Sequence, residues 1–336
     1  MERLSPLSNN NNLNNYSDYP DGPYNINTND ENEPPYYSGL DYGSPVKPSE
    51  TKLKQLYPGY DLIKVIGSGF FGKVYEATRL SDNKSIALKV VRIDPNNPDS
   101  LEDLKREVTI LSKISDPVCQ PYLVCFLGYK YLEDQNVFLI EMNMVQGNTL
   151  SSFSNTYRGT QKFTKYLLLI MKDIIKAIQY LHQNNIIHND IKPDNIIIDA
   201  NLTPVLVDMG VACLDSNVCA LDTPQGSDKT KKCCLGVKGP NMYLSPETIA
   251  TKGAYFKESD VWGLGLTFYV IVNREFPFDI GPIASAKRMI NAIRTEEPKK
   301  LRSGNEVLDH IVNRALDKNI NTRITLAEIS DILTDI

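Results

Sequence analysis

The pattern of hydrophobic and polar positions changes character twice along the 336 residues of this chain. Up to about residue 55, aliphatic residues are nearly absent, and the segment consists largely of Asn, Pro, Tyr, Ser and Asp, including the run Asn9 to Asn12. Such a segment has too little apolar surface to offset the conformational entropy lost on folding. We therefore predict a disordered arm over residues 1–55 and a folded domain over residues 56–336.

The first part of the folded domain alternates with the two-residue period of β-strands, interrupted by one stretch with helical spacing. The helical stretch begins at Ser100, whose side chain is a candidate N-cap. The predicted elements are a strand, glycine turn and strand over 60–80, a strand over 85–93, a helix over 100–114, and strands over 123–131 and 136–142. The pattern predicts a five-stranded unit with one helix.

After a polar connector at Met144–Leu150, the spacing becomes mainly helical. The predicted helices cover 165–183, 259–273, about 284–294, 305–316 and 325–335. The helix over 259–273 is apolar almost all round, so we expect it at the centre of its lobe. The fold class is therefore α+β, with a small β lobe over 56–143 and a larger, mainly helical lobe over 144–336.

Composition excludes some classes of protein. The net charge of -5 argues against a general attraction to nucleic acid. Because no apolar run approaches the ~20 residues of a membrane span and no signal peptide is evident, we expect an intracellular protein. The six cysteines lack regular spacing, which favours reduced thiols. Zinc binding by the last four is disfavoured because there is no CxxC pair. The usage of Asn and Ile is typical of AT-rich genomes, such as those of some protists or giant DNA viruses.

The candidate chemistry is concentrated between His188 and Gly210. Two short apolar runs, residues 196–198 and 205–207, predict a hairpin with its turn at residues 199–201. This hairpin would bring the loop before it and the segment after it to one edge.

Four polar side chains converge at that edge in the predicted arrangement. Asn195 and Asp208 offer an amide oxygen and a carboxylate to Mg²⁺. Asp190 can orient a hydroxyl group, and Lys192 can neutralise a phosphate. These are the parts that phosphoryl transfer requires.

The turn between the first two strands carries Gly67, Gly69 and Gly72 in the spacing GxGxxG. Strand-like alternation continues after it, whereas a dinucleotide-binding fold would open a helix there. A glycine-rich hairpin can place its backbone amides over phosphates because no Cβ atoms block the approach. Lys89 in the third strand and Glu107 on the inner side of the first helix form a candidate ion pair.

Five motifs in this order resemble those of the protein kinase family. They are GSGFFGKV (67–74), IALKV (86–90), HNDIKPDN (188–195), DMG (208–210) and SPE (245–247). The resemblance runs from about Tyr60 to the C-terminus. It implies a bilobal protein kinase fold with an activation segment over 208–247, ATP and Mg²⁺ as cofactors, and protein substrates.

The resemblance also implies roles for single residues. Asp190 would be the catalytic base, and Asn195 and Asp208 would hold Mg²⁺. Lys89 would hold the ATP phosphates and pair with Glu107. Further contacts with ATP are implied for Gly67, Ser68, Gly69, Phe70, Phe71, Gly72, Val74, Ala87, Met142, Asn143, Val145 and Ile197.

Other implied roles concern class and support. Lys192, two residues after Asp190, matches the serine/threonine type of the family. Glu247 would form an ion pair with Arg323, and Asp260 would hold the backbone of the catalytic loop.

Two departures from the family pattern bear on regulation and class. Asn189 stands where most members have an arginine that binds a phosphate on the activation segment. We therefore expect activity without phosphorylation of that segment. Pro240 stands where serine/threonine members usually have a threonine, which keeps open a pseudokinase or nucleotide-binding scaffold as an alternative. A small-molecule kinase is a further alternative, against which the SPE motif argues. The oligomeric state stays open.

Overall fold

The computed structural model of the chain describes residues 57–69, 72–95, 98–214, 241–251, 253–280 and 286–336. The predicted arm, Phe70, Phe71 and the stretch 215–240 of the activation segment lie outside these residues. Pro240 and three of the four cysteines of that segment therefore lie outside them as well.

A five-stranded antiparallel sheet forms the first lobe, with the strand order β1-β2-β3-β5-β4. Its strands are β1 (Tyr60–Gly69), β2 (Gly72–Arg79), β3 (Lys84–Arg92), β4 (Phe126–Leu132) and β5 (Val137–Asn143). Helix α1 (Pro98–Ser115) lies between β3 and β4 in the chain. The predicted unit of five strands and one helix is confirmed.

Two boundaries in this lobe differ from the prediction by two residues or more. Helix α1 begins at Pro98, so Ser100 lies inside the helix and the N-cap assignment was wrong. Proline suits the first helical position, because its missing N–H would have no partner there. Strand β4 begins at Phe126, three residues later than predicted, because Leu123 instead forms an isolated parallel bridge to Leu206.

Strand β3 explains how a lysine comes to lie in the interior. Leu88 and Val90 belong to an apolar cluster on one face of the sheet, and Ala87 and Val91 belong to the main core on the other. Since side chains alternate between the two faces of a strand, Lys89 falls on the face of Ala87 and Val91. Lys89 is therefore buried and only 5% exposed.

The second lobe is mainly helical. Its helices are α2 (Leu150–Tyr157), α3 (Phe163–Gln183), α4 (Pro246–Ala250), α5 (Lys257–Asn273), α6 (Ala286–Thr295), α7 (Glu306–Ala315) and α8 (Leu326–Ile332). Helix α5 is buried along most of its length, with Trp262 fully buried, as its uniform hydrophobicity predicted. Helix α2 was not predicted, because it begins in the polar connector, where Thr149 caps it by accepting a bond from Ser152 N–H. Among the described residues, no helix is long and apolar enough to span a membrane.

Short strands carry the segment between His188 and Gly210. Strands β6 (Asn148–Thr149), β8 (Ile196–Ile198) and β9 (Pro204–Leu206) form one sheet, and β7 (Ile186–Ile187) pairs with β10 (Cys213–Leu214). The predicted hairpin is confirmed as β8 and β9, with the second strand shifted by one residue. Its turn is held by Asp199 Oδ1, which accepts bonds from the N–H groups of Asn201 and Thr203.

The expectation of reduced thiols is wrong for Cys119 and Cys125, which form a disulfide. The chain between α1 and β4 turns back on itself, so that the two Cα atoms lie 5.3 Å apart, within the range that a disulfide spans. Sequence spacing alone does not show this proximity. Cys213 is also disulfide-bonded.

Candidate active site

A buried lysine joins the two lobes at the site. Lys89 Nζ lies 2.7 Å from Glu107 Oε1 on α1 and 3.0 Å from Asp208 Oδ1, which follows β9. The predicted pair of Lys89 and Glu107 therefore forms, with Asp208 as an additional partner. The side chains of Lys89 and Glu107 are only 6% and 3% exposed, whereas that of Asp208 is 41% exposed and open to the cleft.

The charges of these groups are set by one another. Burial alone would lower the pKa of Lys89, but the two neighbouring carboxylates raise it, so this lysine stays protonated. Desolvation would raise the pKa of Asp208, but the charge and hydrogen bond of Lys89, with the Gly210 N–H, lower it to about 2. Burial raises the pKa of Glu107 against the opposing effect of Lys89. Asp208 is therefore a carboxylate at any physiological pH.

Asp190 lies 4% exposed in the loop between β7 and β8, with its carboxylate held on one side. Its Oδ2 accepts bonds from Lys192 Nζ at 2.6 Å and Asn195 Nδ2 at 2.8 Å. Its Oδ1 is buried and has no hydrogen-bond partner among the described residues. Buried carboxylate oxygens normally accept a hydrogen bond, so one without a partner needs an explanation. We infer that Oδ1 accepts its hydrogen bond from a bound molecule.

Asp260, at the start of α5, holds the backbone of this loop as predicted. Its two oxygens accept the N–H groups of His188 at 3.0 Å and Asn189 at 2.9 Å. His182 Nε2 lies 2.8 Å from the same carboxylate, a contact that the sequence analysis missed. The signal available was weak, since a histidine near the end of an apolar helix has many possible partners.

Helix α5 supports the loop at a second point that sequence analysis also missed. Thr267 Oγ1 lies 3.0 Å from Ile191 O, one residue after Asp190, and 2.8 Å from Gly263 O of its own helix, so its single proton is shared between the two carbonyl oxygens. A Cβ atom on Gly263 would lie 3.3 Å from Ile191 O, so glycine permits the close packing. A buried threonine in an otherwise apolar helix was the signal that could have indicated a distant partner.

The glycine-rich hairpin has one position that demands glycine. Gly67, Ser68 and Gly69 of β1 pair with Val74, Lys73 and Gly72 of β2. Gly72 has a φ of +136°, and a Cβ atom there would lie 2.3 Å from Val90 O. The residue must therefore lack a side chain for β2 to lie against β3.

The residues predicted to contact adenine come from both lobes. Val74 and Ala87 lie on neighbouring strands, and Met142 pairs with Ala87 in the sheet register. Ile197 of β8 is half-buried, whereas its neighbours on both sides are buried, so it faces away from the lobe's core. Val145 follows β5 and is also half-buried.

Asn143, at the end of β5, is turned towards the segment that precedes β4. Its N–H donates to Cys125 O at 2.9 Å, and its Oδ1 accepts from Cys125 N–H at 2.7 Å. The predicted backbone contact of Asn143 with a nucleotide therefore cannot use its N–H group.

The residues predicted to hold Mg²⁺ fit a cation. Asn195 Nδ2 donates both to Asp190 O and to Asp190 Oδ2, so the amide is oriented with its oxygen available as a ligand. Asp208 is ionised and half-exposed in the cleft. An oriented amide oxygen and a carboxylate are ligands that Mg²⁺ accepts beside water and phosphate oxygens.

The predicted pair of Glu247 and Arg323 is bidentate. Arg323 Nη1 and Nη2 lie 2.7 Å and 2.8 Å from the two oxygens of Glu247, and Nη1 also donates to Glu258 O. Burial would raise the pKa of Glu247, but its bond to Arg323 lowers it. The pair fixes α4 against the start of α5 and the segment before α8.

Asn189 is in a left-handed conformation with a φ of 66°. Its Nδ2 donates to Val211 O at 3.1 Å and lies 2.7 Å from Cys213 Sγ. The residue therefore holds the beginning of the activation segment directly. Thr223, Ser227 and Thr230, whose hydroxyl groups could accept a phosphate in that segment, lie outside the described residues.

The structure has two lobes, one a five-stranded sheet with one helix and the other mainly helical, and they meet at a charged cleft. This arrangement is that of the bilobal kinase folds. The chain belongs to the protein kinase family, since the profile described as "Protein kinase domain" matches residues 60–332.

Relatives agree with this assignment. The chain is 27% identical over 271 residues to CBL-interacting serine/threonine-protein kinase 8 of Arabidopsis thaliana, covering 80% of the chain and 56% of that protein. It is 30% identical over 279 residues to serine/threonine-protein kinase PrkC of Bacillus subtilis, covering 82% of the chain and 40% of that protein. A carbon catabolite-derepressing protein kinase of Candida glabrata is 28% identical over 272 residues, covering 80% of the chain and 40% of that protein. The chain thus spans about half the length of these relatives.

Proposed function

We propose that this protein transfers the γ-phosphoryl group of ATP to serine or threonine hydroxyl groups of protein substrates. The observation that carries the proposal is the asymmetry of the Asp190 carboxylate. Its Oδ2 is fixed by Lys192 and Asn195, and its buried Oδ1 has no partner among the described residues. A carboxylate held in this way is prepared to accept a hydrogen bond from an acceptor hydroxyl group.

The roles of the other residues follow from their charges. Lys89 stays protonated beside Glu107, so it can hold the phosphates of ATP while Glu107 fixes its position. Lys192 lies against Asp190 and can neutralise charge that develops on the transferred group. Rate acceleration would come from positioning and charge neutralisation, without a covalent intermediate.

Asn195 and Asp208 would hold Mg²⁺, which supplies charge neutralisation of the phosphates when bound. The site needs this additional positive charge. Lys89 and Lys192 each already contact a carboxylate, Asp208 and Asp190 respectively, so the two lysines cannot by themselves neutralise the phosphates of a nucleotide.

A phosphorylation assay tests the proposal. The purified protein is incubated with γ-labelled ATP, Mg²⁺ and generic protein substrates, beside the variant Asp190→Asn. Loss of the base should reduce transfer by about 10²- to 10⁴-fold. Asp173→Asn is the matched control, since Asp173 pairs with Lys176 on the surface of α3 and should leave transfer unchanged.

The same assay separates the alternatives. Label on phosphoserine and phosphothreonine that disappears in Asp190→Asn supports the proposal. Equal labelling by Asp190→Asn would overturn it. Nucleotide binding without any transfer would identify a nucleotide-binding scaffold, and transfer confined to small alcohols would identify a small-molecule kinase.

A further inference from the structure

The Cys119–Cys125 disulfide lies in the segment between α1, which carries Glu107, and β4. Cys119 is exposed to solvent, and Cys125 is half-buried. One half of the pair thus lies on an exposed residue, and the other belongs to the residue that directly precedes β4.

Cys125 is bound directly to the end of β5. Its N–H donates to Asn143 Oδ1 at 2.7 Å, and its carbonyl oxygen accepts from Asn143 N–H at 2.9 Å. Asn143 begins the chain's passage into the connector, where Val145 is a predicted nucleotide contact. The position of Cys125 therefore helps to set the position of the connector.

The same segment is bound on its other side to β9. Val124 N–H donates to Leu206 O at 3.0 Å, and Leu206 N–H donates to Tyr122 O at 2.9 Å. Leu206 lies two residues before Asp208 in the chain. The disulfide-closed segment thus connects the two backbone stretches that carry the predicted nucleotide contacts and the predicted metal ligand.

We propose that Cys119 and Cys125 form a thiol–disulfide exchange site, and that opening of this disulfide by a dithiol weakens nucleotide binding through Asn143. The proposal rests on the proposed function only in taking the cleft as a nucleotide site.

The chemistry is a balanced exchange. A thiolate of the dithiol attacks the sulfur of Cys119, the exposed residue of the pair, which forms a mixed disulfide and releases Cys125 as a thiolate. The second thiol of the reagent then attacks its own sulfur in the mixed disulfide and releases Cys119. The protein disulfide gains two electrons and two protons, and the dithiol becomes a cyclic disulfide.

The expected effect follows from pre-organisation. The covalent closure restricts the conformations of the segment between Cys119 and Cys125. After reduction, Cys125 keeps its hydrogen bonds to Asn143 but loses the covalent link to Cys119, so we expect Asn143 and the connector to sample more positions. A nucleotide must then order them on binding, which raises its dissociation constant.

Calorimetric titration with a non-hydrolysable ATP analogue and Mg²⁺ tests the effect. Oxidised protein, confirmed by peptide mapping of the Cys119–Cys125 link, is compared with protein treated with a dithiol. We expect Kd to rise by about three- to tenfold on reduction. The variant Cys119→Ser cannot close the disulfide, so its Kd should match that of the reduced protein and should not respond to the dithiol. This variant also controls for the remaining cysteines.

Equal Kd values before and after reduction would overturn the proposal, as would a Cys119→Ser variant that responds like the wild type. Amide hydrogen exchange gives a second measurement that needs no nucleotide. Reduction should accelerate exchange at Cys125 and Asn143, and unchanged exchange would contradict the coupling. If neither redox state bound nucleotide, the proposed function would fail. Amide hydrogen exchange at Asn143 would then test by itself whether the disulfide controls the mobility of that residue.

Discussion

Lys89 Nζ lies 3.0 Å from Asp208 Oδ1, although the two residues are 119 positions apart in sequence. The contact joins the third strand of the sheet to the segment that follows the β8–β9 hairpin of the helical lobe. Glu107 completes it from α1 at 2.7 Å. One buried cation thus fixes three elements around the cleft, and changes at any of its partners should alter the site more than the fold.

Substitution of Glu107 by Gln removes one charge from this cluster. Lys89 would keep Asp208 as its charged partner, and its ammonium group would shift towards that residue. We expect kcat/KM for ATP to fall by about 10- to 100-fold, equivalent to about 1.4–2.7 kcal/mol of transition-state stabilisation. Steady-state kinetics at varied ATP concentration measures the effect.

Glu102→Gln is the control for this variant. Glu102 is on the same helix and pairs with Lys105 at the surface, where its side chain is 52% exposed. An exposed pair of this kind contributes little, so kinetics and stability should be unchanged. Equal kinetic losses in the two variants would show that the Glu107 effect comes from the helix and not from the lysine contact.

Gly72→Ala should destabilise the glycine-rich hairpin. The φ of +136° is unfavourable for alanine, and the new Cβ would lie 2.3 Å from a backbone oxygen of β3, which cannot move aside cheaply. We expect a loss of about 1–3 kcal/mol in the free energy of unfolding. Gly67→Ala is the comparison, because its Cβ would meet only Val74 at 3.7 Å. Denaturant unfolding should separate the two, and equal midpoints would refute the steric argument.

The pair of Glu247 and Arg323 should make stability depend on pH. The folded-state pKa of Glu247 is lowered, so its contribution is fully present above the unfolded value of about 4.3 and is lost as pH falls through the lower folded value. Glu247→Gln leaves a buried arginine without its carboxylate, which should cost about 3–5 kcal/mol at neutral pH. The difference in Tm between this variant and the wild type should therefore narrow in acid. If the difference in Tm between the two proteins stayed constant as the pH was lowered, the charge of Glu247 would not be the cause of the difference.

Activity should not require phosphorylation of the activation segment. Asn189 bonds directly to Val211 O near the start of this segment, where an arginine would instead need a phosphate as its partner. Treatment with a phosphatase should leave the rate of substrate phosphorylation unchanged, with removal of phosphate checked by mass spectrometry. Activity that disappears on dephosphorylation and returns only with rephosphorylation would contradict this expectation.

Local pattern was sufficient for most of the fold. Alternation and glycine placement predicted the five strands, and apolar spacing predicted α1, α3 and α5, because these signals act within a few residues of each other. The motifs placed Lys89 with Glu107 and Glu247 with Arg323, and both pairs form. Helix α2 was missed because its polar start carries no apolar period.

The tertiary structure alone decided the contacts between residues whose sequence positions do not indicate that they are partners. Thr267 bonds to a backbone carbonyl 76 residues away, and Asn143 turns its side chain to Cys125 instead of the cleft. The Cys119–Cys125 disulfide exists because the chain reverses before β4, which no spacing of cysteines indicates. Residue types and periods determine which elements form and which groups are chemically able to act. The packing of those elements decides which polar atoms are already satisfied and which, like Asp190 Oδ1, remain for a bound molecule.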